Sequence, residues 1–186
     1  MPAALKGVYE AFTNEPDVDI LLGTYIVVDA ESRYICHRRP ITPHKWSSQT
    51  VCEIITCSCF HRVEAFRRHG IRFDTCWRAI ADVVFYRDLV NSSPRVKILP
   101  ELFTSLFVVT GGNLAWTQTS RDEWKTYCDS LPGYVFLRHK FAYRWCNMKR
   151  WLRDMICKAP RMYALYLPES VERSIVHIKH PTCHWG

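Results

Sequence analysis

Apolar positions recur at two periods along this chain, and each change of period marks an element. Across residues 3–13, Leu5, Val8, Tyr9 and Phe12 fall at helical spacing, which predicts a first helix with those side chains facing a core. Pro16 ends it, because proline disfavours helix at the residue before it. Residues 18–23 are an apolar run suited to a buried strand, and 24–29 and 34–38 read as strands around a turn at Ala30-Glu31-Ser32. Two prolines and two serines make 40–48 a loop, and 52–61 are mostly β-formers. Residues 62–69 read as one or two helical turns closed by Gly70.

The second half continues in the same way. A helix is predicted over 79–90 and strands over 96–99 and 102–109, either side of Pro100-Glu101. Gly111-Gly112-Asn113 is a flexible turn, and Ser120 with Glu123 has the spacing of a capping box opening a helix over 120–131. From 134 to 157, Leu137, Phe141, Trp145, Met148, Leu152 and Met155 step by four, four, three, four and three. That stripe is expected to dock on the domain and leave the basic side chains in water. Residues 163–167 and 174–178 read as two final strands. The class is α+β, derived from α/β, with a mixed sheet flanked by helices and too few strands for a complete doubly wound sheet.

Composition narrows this picture. A 186-residue chain that is 48% hydrophobic supports one substantial core. No run of about 18 apolar residues occurs, and the first residues lack the apolar stretch of a signal peptide, so a cytoplasmic location is the expectation. Nine scattered cysteines without a Cys-x-x-Cys pair read as free thiols. Cys52, Cys57, Cys59 and His61 match no common zinc spacing, and alternation puts Cys57 and Cys59 on one strand face as small hydrophobes. His37, His44 and His61 read as ordinary surface or loop histidines. Within 134–161 there are eight basic residues against Asp154 alone, which accounts for the whole formal charge of +7. The charge is therefore one local basic element.

Several stretches, in order, resemble the second half of a family 2 glycosyltransferase of the bacterial polysaccharide type. Residues 3–23 resemble the helix and strand that follow that family's D-x-D motif. Phe60, Arg62, Phe66 and the run Arg68-His69-Gly70-Ile71-Arg72-Phe73-Asp74 resemble its segment ending in G-x-x-F-D. Arg78-Ala79-Ile80-Ala81-Asp82 resembles the acidic motif opening the next helix. Ile98-Leu99-Pro100-Glu101-Leu102 and Gly111-Gly112-Asn113 resemble the strand and glycine-containing loop beyond it, and residues 163–185 resemble its terminal strand pair.

The resemblance implies a partial GT-A fold, with 1–133 as the acceptor-side half of the domain and 134–186 as a basic helix and strand pair packed on it. It implies transfer of a sugar from a nucleotide-sugar to a saccharide or lipid-linked acceptor, with inversion. Asp82 takes the place of the general base, the chemistry a hydroxyl nucleophile needs at neutral pH. Trp77, Arg78, Gly111, Gly112 and Asn113 take acceptor-side places. The complete enzyme would use a divalent cation, Mn or Mg, on the donor diphosphate; the D-x-D half that holds it has no counterpart here, so this chain alone is expected to be inactive and to bind no cation. Asp17 and Asp19 are spaced like D-x-D but belong to a strand that aligns past that motif. Thr24, Thr56, Val84 and Asp88 depart from the family's usual residues.

Each position has a plainer role beside the chemical one. Asp82 also suits the first turn of a helix, where a carboxylate offsets the macrodipole; Asp74 reads as a cap; Trp77 and Arg78 could line core and surface; the glycine pair could be only a turn. The basic, aromatic-rich helix over 134–161 offers an alternative function: a non-catalytic module that docks on an anionic membrane surface, the inner face of the membrane, or on an acidic partner. No nucleic-acid signature accompanies its charge. An exposed sheet edge where absent strands would pair makes self-association a further expectation.

Overall fold

The computed structural model describes residues 4–166 and 173–183. Five helices and six strands run through them: α1 (Ala4–Asn14), β1 (Ile20–Val28), β2 (Tyr34–Arg38), β3 (Cys59–His61), α2 (Val63–Arg67), α3 (Ala81–Asn91), β4 (Val96–Val108), α4 (Gln118–Asp129), α5 (Gly133–Ile156), β5 (Met162–Tyr166) and β6 (Arg173–His177). The fold is α+β with an open mixed sheet. The predicted end of the last strands at Leu167 and the terminal Trp185 lie outside the described residues.

The sheet is organised by β1, whose nine residues are all buried. β4 runs parallel to it along its length. Its other edge is shared by two antiparallel partners, β3 beside Ile20–Leu22 and β2 beside Tyr25–Val28. A strand covered on both faces reads as unbroken hydrophobics, which is why 18–23 and 24–29, expected as two strands, are one. Ile20 and Leu22 pack on Phe85, Tyr86, Leu89 and Val90 of α3. Leu21 packs on Val8, Ala11 and Val18. Ile26 and Val28 meet Tyr163 of β5, which ties the terminal strand pair onto the sheet.

β4 is likewise one strand where two were expected. Its register against β1 jumps from Gly23↔Leu99 to Thr24↔Phe103, so residues 100–102 bulge out and carry Pro100 without breaking the pairing. Thr24 Oγ1 donates to the Pro100 carbonyl at 2.7 Å. A Cβ on Gly23 would stand 2.3 Å from Thr104 Cγ2, so only glycine fits at this bend. No strand among the described residues pairs with the far edge of β4.

Other expectations are corrected. Leu5 and Tyr9 of α1 are 75% and 71% exposed, and the buried residues are Ala4, Val8 and Ala11. The helix approaches the sheet closely, with Leu102 against Gly7, so small side chains take the inner face. Residues 52–61 supply only the three-residue β3 and a short 3-10 turn. Gly70 sits at φ +64°, the left-handed position that closes α2. The Ser120–Glu123 capping box does not form: Thr117 is the N-cap of α4 and accepts from Ser120 N at 3.2 Å. His37 is a core residue, fully buried.

The largest correction concerns α5, which forms at its expected length but turned over. Leu137, Phe141, Trp145, Met148, Leu152 and Met155 all face solvent, Leu137 at 83% exposure. The inward face carries Val135, Ala142 and Cys146, followed by charged residues. Ala142 and Cys146 sit on Ile41 and Val51. Lys149 donates to the Thr42 carbonyl at 2.9 Å and Arg153 to that of Pro40 at 3.3 Å. Asp154 accepts from Arg39 Nε at 3.0 Å and lies 2.5 Å from His37 Nε2.

Candidate functional site

Between the inner face of α5, the start of α3, the segment 50–57 and the start of α4 lies an open cleft of about 930 Å³. Among the described residues Asp82 is its one lining carboxylate, set against four arginines, Arg38, Arg78, Arg121 and Arg150. Phe73, Phe107 and Trp124 give it an aromatic wall. A concave, partly apolar surface with a few convergent polar groups is the usual form of a ligand site.

Asp82 occupies the first turn of α3. Its Oδ1 accepts from the Val83 N–H at 2.9 Å and its Oδ2 from Thr56 Oγ1 at 2.9 Å. The helix-start role and a chemical role therefore coexist. Each oxygen receives one donor, and a carboxylate has about four lone-pair sites, so capacity is left for a proton in the cleft. Thr56, read from the sequence only as a departure from a family pattern, is the residue that orients Asp82.

The approach to α3 is held by Glu123 of α4. Its carboxylate accepts from three successive backbone N–H groups, those of Arg78 (2.8 Å), Ala79 (2.8 Å) and Ile80 (3.1 Å). Those bonds, that of Arg78 first, hold the carboxyl below its usual range. Glu123 is thus a cap for α3 rather than for its own helix. Replacing it with Ala is expected to leave three N–H groups without an acceptor. Amide exchange at Arg78, Ala79 and Ile80 should then accelerate by at least about tenfold, while the amides of Leu89 and Val90 stay protected.

The other sequence candidates divide. Arg78 and Asn113 line the cleft. The Asn113 side chain is committed to its own loop, accepting from Thr110 N and donating from Nδ2 to the Val108 carbonyl at 3.1 Å. Gly111 and Gly112 lie outside the cleft lining, and a Cβ at Gly111 would meet nothing. Trp77 turns inward to Tyr127, ring centroids 6.3 Å apart, in the cluster with Ile80 and Val84. Asp74, expected as a helix cap, instead closes a turn ahead of α3, accepting from Cys76 N at 2.9 Å. Phe73, beside it, stacks flat on Phe85 at 4.2 Å.

Residues missed by sequence reading come from the far wall: Tyr25 of β1, Arg38 of β2, and His139, Tyr143 and Arg150 of α5. The signal was present in the helix. Ala142 and Cys146 lie four apart, and continuing that row gives Arg150 and then Asp154, the small-residue face that can approach the sheet.

A divalent-cation clamp does not fit the residues at hand. Among the described residues no group of three or more His, Cys, Asp or Glu side chains comes together. Asp17 is engaged with Arg95 Nη1 at 2.6 Å, and Asp19 accepts from Arg95 N at 2.9 Å, so the two carboxylates anchor the start of β4. His61 packs edge-on against Phe66 while Cys59 lies in the core. No described helix is long and apolar enough to cross a membrane. Compared with known proteins, the chain matches no family model and no curated protein.

Proposed function

We propose that this chain is the acceptor-side part of a nucleotide-sugar glycosyltransferase, a partial GT-A fold in which Asp82 acts as the base. The observation that carries the reading is the placement of Asp82: the single carboxylate of the cleft among the described residues, held at a helix start by Thr56. Asp82 takes the proton of the acceptor hydroxyl as that oxygen bonds to the anomeric carbon. The bond from that carbon to the nucleotide diphosphate breaks on the opposite side, which inverts the centre. The aromatic wall suits the apolar face of a sugar or the start of a lipid chain. In this reading the nucleotide-binding half is supplied by a separate unit. The test is sugar transfer by the chain mixed with a separately expressed nucleotide-binding half, with and without Asp82→Asn. Transfer that survives the substitution removes the reading.

A second reading is favoured by α5. Its outward stripe of Leu137, Phe141, Met148, Trp151, Leu152 and Met155 is exposed and stands beside Arg138, Lys140 and Arg144, the composition of a helix lying in an anionic bilayer surface. The two readings are compatible, because α5 presents one face to the cleft and the other outward. The 186-residue chain is expected to cosediment with vesicles rich in anionic phospholipid. Leu137→Asp with Phe141→Asp should weaken that partition by at least about tenfold. Binding insensitive both to salt and to this pair of substitutions would exclude surface docking through α5.

A further inference from the structure

The far wall of the cleft holds two guanidinium groups that the proposed transfer step does not use. Arg38 ends β2 opposite Tyr25 of β1, and Arg150 projects from the inner face of α5; all three line the cleft. Arg33, Arg39, Arg68, Arg87 and Arg95 each have a carboxylate within 4 Å, whereas neither Arg38 nor Arg150 forms an ion pair among the described residues. Arg38 Nε is buried without a hydrogen-bond partner. Burial, and after it the charge of Arg38, holds the Arg150 guanidinium below its usual pKa. The Glu53 carboxylate acts on Arg150 from the same side of the fold. Its oxygens already accept from Ser47 Oγ at 3.0 Å, Cys146 Sγ at 3.2 Å and His44 N at 3.1 Å.

We infer that Arg38 and Arg150 form a subsite for a phosphoryl group, phosphate or diphosphate, carried by a ligand whose reacting end lies at Asp82. Arg38 and Arg150 are half-buried and form no ion pair among the described residues; two like charges held close and partly desolvated are costly, and a dianion entering between them relieves that cost. A guanidinium fork binds phosphate oxygens in pairs, and two forks suit a group of higher charge than one sugar carboxylate. Burial first of all raises the Tyr25 hydroxyl to about 12. It stays protonated, and its O–H is left to donate into the site. Asp82, Cys52 and Arg150 line the same cleft. The ligand's chemistry rests on the transferase reading; the anion site itself does not.

The test is calorimetric titration of inorganic pyrophosphate, glucuronate, uridine diphosphate and a short-chain prenyl diphosphate into the 186-residue chain at low salt. Pyrophosphate is expected to bind saturably. Arg38→Met and Arg150→Met should each weaken it by at least about tenfold, and the outward-facing pair Lys140→Met with Arg144→Met should leave it unchanged. Melting curves report whether each variant is folded, and Arg150→Lys, which keeps the charge but loses the fork, should fall between wild type and Arg150→Met. A prenyl diphosphate that binds more tightly than pyrophosphate identifies the acceptor as the source of the group, and a tighter uridine diphosphate identifies the donor. Equal weakening by the outward pair, or saturable glucuronate binding without pyrophosphate binding, overturns the subsite. Asp82→Asn separates the two ideas. Pyrophosphate binding kept while transfer survives Asp82→Asn removes the base and leaves the subsite. Transfer lost in Asp82→Asn with no pyrophosphate binding in wild type does the reverse.

Discussion

Asp82→Asn is expected to lower the rate of sugar transfer by about 10²–10⁴-fold, the usual contribution of a positioned general base, with little change in acceptor KM. Asparagine keeps the size of the side chain: its Oδ1 can still accept from the Val83 N–H, while its Nδ2, in the place of the other oxygen, can donate to Thr56 Oγ1 once that hydroxyl turns, so the start of α3 should persist. What is lost is the ability to take a proton. A proton-acceptor role therefore predicts a fall in kcat with an unchanged melting temperature. A purely capping role predicts the opposite, intact kcat and a lower Tm. Initial rates and a melting curve on the same preparation, with the nucleotide-binding half supplied, separate the two.

The second large effect is structural. Asp154→Ala is expected to destabilise the fold by about 3 kcal/mol, at the lower end of the range for breaking a buried pair, which corresponds to roughly 6–12 °C in Tm for a chain of this size. The Arg39 side chain is completely buried, and among the described residues its charge is answered only by Asp154, itself 21% exposed. Arg39 would keep bonds to the carbonyls of Pro100 and Lys158 but no counter-charge. His37 would lose its partner at Nε2 while Nδ1 stayed beside the Tyr34 hydroxyl, 2.9 Å away.

The same network sets a pH dependence. Burial holds His37 below its usual pKa, with the Arg39 charge in the same direction and the Asp154 contact opposing. Burial alone would raise Asp154, but its bonds to His37 and Arg39 hold the carboxyl below the usual range. Both groups therefore bind protons more readily unfolded than folded, so both contributions are present at neutral pH and lost on acidification. Loss should begin below about pH 6.5 as unfolded His37 takes its proton, and deepen below about pH 4 as Asp154 does. Asp154→Ala should remove the carboxylate part and flatten the acid limb of a Tm–pH curve. An acid limb equally steep in wild type and variant would place the titrating groups elsewhere.

Much of the local structure was written in the residues. Gly70 closes α2 because only a residue tolerant of positive φ can stand there. The turn after β1 follows from Asp29, whose carboxylate accepts from the N–H groups of Glu31 and Arg33, a short-range habit of Asp. Asp82 at the start of α3 was legible for the same reason: a carboxylate ahead of an apolar period marks a helix start. Thr56 was not. It lies 26 residues away, and no local rule says which hydroxyl will reach a given carboxylate. Glu123 shows the converse. Its spacing from Ser120 satisfied a local capping pattern, but three unpaired N–H groups on a different segment were stronger partners than one on its own helix.

By itself the sequence determined that 134–157 is one helix with an apolar stripe, that residues 18–23 are apolar enough for a buried strand, and that charge concentrates near the C-terminus. Only the tertiary structure decided which way α5 turns. Periodicity shows that like side chains share a face; it carries no information about what the neighbouring surface offers. Here that surface offers the carbonyls of Pro40 and Thr42 and the buried His37 and Arg39, and leaving those groups unpaired costs more than leaving a row of Leu, Phe and Met in water. The charged face of α5 turns inward for that reason, which places Arg150 beside Arg38 in the cleft and gives the helix its apolar outer surface.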